Sequence, residues 1–70
     1  MKYPKNETVW MTYYDSAGTL QFFMTSKAAR DYYYLYAVND DSTFVKLGKA
    51  RSPAELEKKY DVDKKIGVMQ

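Results

Sequence analysis

The sequence predicts a small α+β domain: an antiparallel sheet of about four strands, arranged as two hairpins joined by a short helical crossover, with a C-terminal helix packed on one face. Three observations predict it. Two stretches rich in β-branched and aromatic residues each lead through turn residues into a second strand-like run. The stretch Ser52-Pro53-Ala54-Glu55 carries the chemistry of a helix start. A chain of 70 residues fills one core and no more, so residues 1–70 are expected to form a single domain. A small β-barrel with an appended helix is the architectural alternative.

The first strand is expected over Thr8 to Tyr14, followed by Asp15-Ser16-Ala17-Gly18, where Gly18 supplies the positive φ a tight return needs. Thr19 to Thr25 reads as the returning strand. With Tyr14 opposite Thr19, the pairing places Val9, Met11 and Tyr13 on one face with Leu20, Phe22 and Met24. Trp10 and Phe23 then lie across from one another on the other face.

Ser26 to Asp31 has a serine suited to an N-cap and several helix formers, and reads as a short helical crossover. Tyr32 to Val38 fits a helical stripe through Ala29, Tyr32 or Tyr33 and Tyr36. Its run of aromatics and its end at Asn39-Asp40-Asp41-Ser42 favour a strand. A tight turn at Asp40-Asp41 returns the chain through Thr43 to Gly48, aligning Tyr34, Tyr36 and Val38 with Leu47, Val45 and Thr43. Tyr33, Leu35 and Ala37 then share the second face with Phe44 and Lys46.

The helix begins at Pro53, with Ser52 as cap and Glu55 placed to reach back to the cap amide. Pro53, Leu56 and Tyr60 fall on one side, while Glu55, Glu57, Lys58 and Lys59 face solvent, and the helix is expected to end near Tyr60 or Asp61. Residues 64–70 read equally as a last edge strand or as a loose tail.

Composition narrows the chemistry. Hydrophobic residues are 46% and charged residues 29% of the chain, which marks a folded unit rather than a disordered one. Cysteine is absent, which excludes disulfides, thiolate nucleophiles and zinc–thiolate sites and favours a cytoplasmic home. Histidine is also absent, which removes the commonest general base and the commonest transition-metal ligand. Asp40-Asp41 and Asp61-x-Asp63 lack the further oxygen ligands of a calcium loop, and the serines sit where turns and caps want them. No glycine-rich phosphate loop occurs. No enzyme activity, metal or cofactor is therefore expected. The first residues have no apolar core of a signal peptide and no apolar run approaches a membrane span, so a soluble chain with no membrane partner is expected. Asn6-Glu7-Thr8 matches a glycosylation acceptor, a triplet common by chance.

The aromatics are the unusual feature. Eight tyrosines, three phenylalanines and one tryptophan exceed what a core of this size holds, and one short helix covers only one side of a sheet apolar on both. An uncovered face, barrel closure or a homodimer must account for the rest. Net charge is only +2, yet residues 44–70 carry seven positive against four negative charges, with Lys46, Lys49 and Arg51 uninterrupted by any acid.

Trp10 and Phe23, with Tyr33 beside them if the hairpins share a sheet, are therefore the candidate contact residues, and Lys46, Lys49 and Arg51 their charged rim. The expected function is that of a small non-enzymatic binding protein engaging a macromolecular partner, foremost a protein, through an aromatic sheet face. Such a protein works by occupancy as an inhibitor, regulator or accessory subunit. In size and layout the expected domain is similar to accessory proteins of phages and mobile elements, anti-CRISPR inhibitors among them, with no motif behind the likeness. The alternative is a single-stranded nucleic-acid binder that stacks bases on exposed rings while the Lys/Arg patch tracks phosphates.

Overall fold

The computed structural model describes residues 2–27, 31–62, 68 and 69. Four strands, β1 (Thr8–Tyr14), β2 (Leu20–Ser26), β3 (Tyr33–Val38) and β4 (Phe44–Ala50), run as an antiparallel meander, and helix α1 (Pro53–Tyr60) follows. A two-residue strand β5 (Val68–Met69) pairs with the end of β1, giving the sheet order β4-β3-β2-β1-β5. The sheet stays open, so the α+β architecture holds and the barrel alternative does not. Residues 32–38 resolve in favour of the strand, and the last edge strand exists at Val68–Met69. Of the crossover helix expected over Ser26 to Asp31, residues 28–30 lie outside the described residues; Ser26 itself ends β2, paired with Thr8 and Tyr33.

Both hairpins close through the same three-residue loop. In the first, the Asp15 amide donates to the Thr19 carbonyl and the Gly18 amide to the Asp15 carbonyl, both at 3.0 Å, with Gly18 at φ +83°. In the second, Asn39 donates to the Thr43 carbonyl at 2.7 Å and Ser42 to the Asn39 carbonyl at 3.0 Å, with Ser42 at φ 68°. A turn followed by one left-handed residue is a standard hairpin connection. An aspartate holds each loop: Asp15 Oδ1 accepts from the Ala17 and Thr19 amides, and Asp41 Oδ1 accepts from the Thr43 amide and hydroxyl.

This loop length corrects two expected registers. Tyr14 faces Leu20, not Thr19, and Met11, Thr12 and Tyr13 face Met24, Phe23 and Phe22. The shift of two in mid-strand keeps Met11, Tyr13, Phe22 and Met24 on one face, as expected, but Thr12 instead of Trp10 stands opposite Phe23. Gln21 is an extra residue where the pairing shifts, and Leu20 packs with Phe23 on the other face. In the second hairpin Val38 faces Phe44 and Tyr36 faces Lys46. The odd-numbered loop moves the register by one and turns Phe44 onto the face of Tyr36.

Helix α1 starts at the predicted position. The Ser52 hydroxyl accepts from the Glu55 amide at 3.3 Å, Pro53 occupies the first turn, and Asp61, left-handed at φ 53°, closes the end with its amide on the Glu57 carbonyl. The helix lays Leu56 on Tyr13, Met24 and Leu35, and these residues together with Val62 are fully buried. Glu57 is not a free surface charge: its Oε2 accepts from the Tyr13 hydroxyl at 2.8 Å.

The opposite face is partly covered by the chain's own N-terminus. Tyr3 stands edge-on to Phe23 with ring centres 4.9 Å apart, and Phe23 stacks on Tyr36 at 4.9 Å and meets Phe44 edge-on at 5.4 Å. Phe23, Tyr34 and Tyr36 form a second buried cluster there. Segment 2–7 thus supplies part of the cover that neither the helix nor a barrel provides. Among the described residues, no helix is long and apolar enough to cross a membrane.

Candidate binding surface

The face opposite α1 carries a row of cations seated on tyrosines. Tyr34 and Tyr36 share that face of β3, and Tyr32 extends the row just before the strand. Lys46 Nζ lies 4.6 Å from the centre of the Tyr34 ring and 5.7 Å from that of Tyr36. Lys49 lies 4.7 Å from the Tyr32 ring and Arg51 5.7 Å from it, while Lys27 approaches Tyr34 from the β2 side at 5.4 Å. Each such contact is worth about 0.5–1 kcal/mol at an exposed site, enough to bias a flexible side chain towards one position.

A break in the ladder assembles this row. Lys46 and Lys49 are three residues apart and in a regular strand would point to opposite faces. Leu35 pairs with Gly48 and the next residue, Tyr36, with Lys46, so Leu47 is an extra residue on β4. Leu47 packs with the cluster beneath α1, and Lys46 and Lys49 both lie over the tyrosines. The same break brings Gly48 under Tyr60, whose hydroxyl donates to the Leu47 carbonyl at 2.8 Å.

Glu7 adds a carboxylate to this face. Its Oε1 accepts from the Thr25 hydroxyl at 2.6 Å and from the Tyr36 hydroxyl at 2.8 Å, and its Oε2 lies 4.0 Å from Lys27 Nζ. The Glu7 side chain is only 7% exposed, and Thr25 is fully buried with its hydroxyl satisfied. Burial, the hydrogen bond to Glu7 and the negative charge of Glu7 all push ionisation of the Tyr36 phenol far above the ordinary tyrosine range.

The expected contact residues separate. Among the described residues Trp10 is the most exposed large hydrophobic one, at 55%, and its ring tilts against Tyr33 at 5.7 Å. It occupies another register shift, between Val9 and Met11, which takes it away from Phe23. Tyr33 packs with the cluster beneath α1, so it neighbours Trp10 and not Phe23. Phe23 has no exposed surface and supports the rings around it. Lys46, Lys49 and Arg51 do come together on one face, and Lys27, Tyr32, Tyr34 and Tyr36 join them. The alternation of Tyr32, Tyr34 and Tyr36 was a readable signal for the tyrosine row. Lys27 follows β2 and reaches Tyr34 across the β2–β3 pairing, a long-range relation.

Among the described residues, no group of three or more acidic residues is placed to hold a metal ion. A shallow cleft of about 220 Å³ lies between the two hairpin tips, lined by Thr19, Gln21, Val38 and Asn39 among others. Thr19, Asn39 and Ser42 of its lining take part in the hydrogen bonds that close the two loops. No protein-family model, curated protein or solved structure matches the chain.

Proposed function

We propose that this chain is a small non-enzymatic binding protein that engages a protein partner through the tyrosine-seated cationic face and works by occupancy, as an inhibitor, regulator or accessory subunit. A cytoplasmic setting fits a chain without cysteine. The observation that carries this reading is the convergence of Lys27, Lys46, Lys49 and Arg51 on one row of rings. Side chains already biased towards one position lose less entropy when a partner orders them.

Single-strand binding is the second reading, favoured by the same four cations. The stacking surface on this face is narrow: Tyr34 and Tyr36 are 5% and 4% exposed and Phe23 is fully buried, which leaves the partly buried Tyr32 and Phe44 and the exposed Tyr3. Bases need open ring faces, and lysines lie over Tyr32, Tyr34 and Tyr36.

The test is affinity capture from a lysate with and without nuclease, using the wild-type chain and the Lys46→Glu/Lys49→Glu variant as bait. A discrete protein retained after nuclease and lost with the double reversal is the expected result. Capture that vanishes with nuclease moves the assignment to nucleic acid, and retention by the reversed bait removes this face from the function.

A further inference from the structure

The cationic face already holds one carboxylate, its own. Glu7 reaches it from the N-terminal segment and sets one oxygen on two hydroxyls, Thr25 at 2.6 Å and Tyr36 at 2.8 Å, and the other 4.0 Å from Lys27. Lys27 and Lys46 flank the same Tyr34 ring, and Thr25 is Tyr34's direct neighbour across the sheet. The carboxylate therefore sits at one end of the cation row. The rest of the row, through Lys49 and Arg51, is exposed and rests on Tyr32.

We propose that this face accepts a carboxylate-rich segment of a protein partner, and that Glu7 fills the first of its carboxylate positions in the free protein. Charge complementarity fixes the chemistry of the occupant. Two hydroxyl donors and an ammonium converge where one carboxylate already binds, and three further cations continue from there with no acid on β4. An acidic segment laid along the row extends the pattern that Glu7 begins, and where it reaches the Thr25–Tyr36 position it must displace Glu7 and loosen the segment that holds Tyr3 on Phe23. The N-terminus thus competes with the partner. This inference rests on the protein-binding reading above and specifies the partner's chemistry.

The probe is a glutamate decamer, followed by amide chemical shifts of the full chain at low salt, with oligothymidylate of equal charge as comparison. The decamer is expected to move the resonances of Tyr34, Tyr36, Lys46 and Lys49 and to leave Lys58 and Lys59 on α1 largely unmoved. Glu7→Gln keeps an oxygen for both hydroxyls but removes the competing charge, and is expected to bind the decamer about tenfold tighter, the equivalent of one charged hydrogen bond. The variant's own spectrum checks that it keeps the fold, and Lys27→Gln, which weakens the same carboxylate position from the other partner, is expected to bind less tightly than wild type.

Equal affinity of wild type and Glu7→Gln, or shifts spread evenly over α1, overturns the inference. Stronger and equally localised shifts with oligothymidylate overturn it in favour of nucleic acid. If lysate capture still depends on Lys46 and Lys49 while the decamer does not distinguish Glu7→Gln, the carboxylate inference fails and the protein-binding reading stands. Capture indifferent to both lysines removes the reading itself.

Discussion

Tyr60 and Gly48 are in direct contact: the phenol crosses the β4 backbone to reach the Leu47 carbonyl, and a β-carbon at position 48 would collide with its hydroxyl and approach its ring carbons to 3.1 and 3.4 Å. The pair fastens α1 to the strand that bears the cation row. Leu47, the extra residue of the strand, offers its carbonyl to the phenol, and Gly48 leaves room for it.

Gly48→Ala is accordingly expected to destabilise the fold by about 1–3 kcal/mol, as overpacking does. In a domain of this size each kcal/mol lowers Tm by roughly 4–8 °C. Tyr60→Phe alone should cost about 1 kcal/mol for the lost hydrogen bond, and should be neutral or favourable when combined with Gly48→Ala. A double-mutant cycle by thermal melting reads the coupling, and strictly additive effects would contradict the contact.

The two hairpin loops make a matched comparison. Gly18 and Ser42 occupy equivalent left-handed positions, at φ 83° and 68°, and only the first is glycine. Ser42→Gly is expected to stabilise the protein by up to about 1 kcal/mol, and Gly18→Ala to destabilise it by about 1–2 kcal/mol. A β-carbon at Gly18 meets no atom within 4 Å, so that cost is conformational and not steric. Urea denaturation measures both, and opposite signs are the outcome that supports the shared loop geometry.

Tyr36 makes stability depend on alkaline pH. Its phenol is favoured in the neutral form by burial and by Glu7, so its folded pKa lies above the ordinary value of 10. Its contribution is fully present below that ordinary value and is lost as pH rises beyond it towards the folded value, because the unfolded chain releases the proton first. The fall in stability above pH 10 should therefore be steeper in wild type than in Tyr36→Phe. Chemical denaturation across that range checks it, and identical slopes would remove Tyr36 as the source.

Trp10 and Phe23 should behave as opposites. Phe23→Ala empties a fully buried ring site among Tyr3, Tyr36 and Phe44 and is expected to cost about 3–5 kcal/mol. Trp10→Ala removes a half-exposed ring that tilts against Tyr33 and should cost no more than about 1.5 kcal/mol. Far-UV circular dichroism with urea separates them; equal losses would mean that Trp10 is more deeply packed than its exposure indicates.

The features legible along the chain are local ones. The strand character of Tyr33–Val38, the left-handed Gly18, the start of α1 at Ser52-Pro53 and the side of the helix that carries Leu56 follow from neighbouring residues, since propensity, capping and periodicity act within a few positions. The sequence also marked Lys46, Lys49 and Arg51 as a cation cluster. Which side chains share a face is set by pairing between distant strands. Loop length, and the extra residues Trp10, Gln21 and Leu47 in the ladders, set the register, and an inserted residue reverses the facing of all that follow it. Those breaks separated Trp10 from Phe23, united Lys46 with Lys49 and cleared Gly48 for Tyr60. The folding of Tyr3 and Glu7 onto the second face is likewise a long-range choice, because the apolar rings and the Thr25 and Tyr36 hydroxyls that hold the segment are brought together only when the sheet has formed.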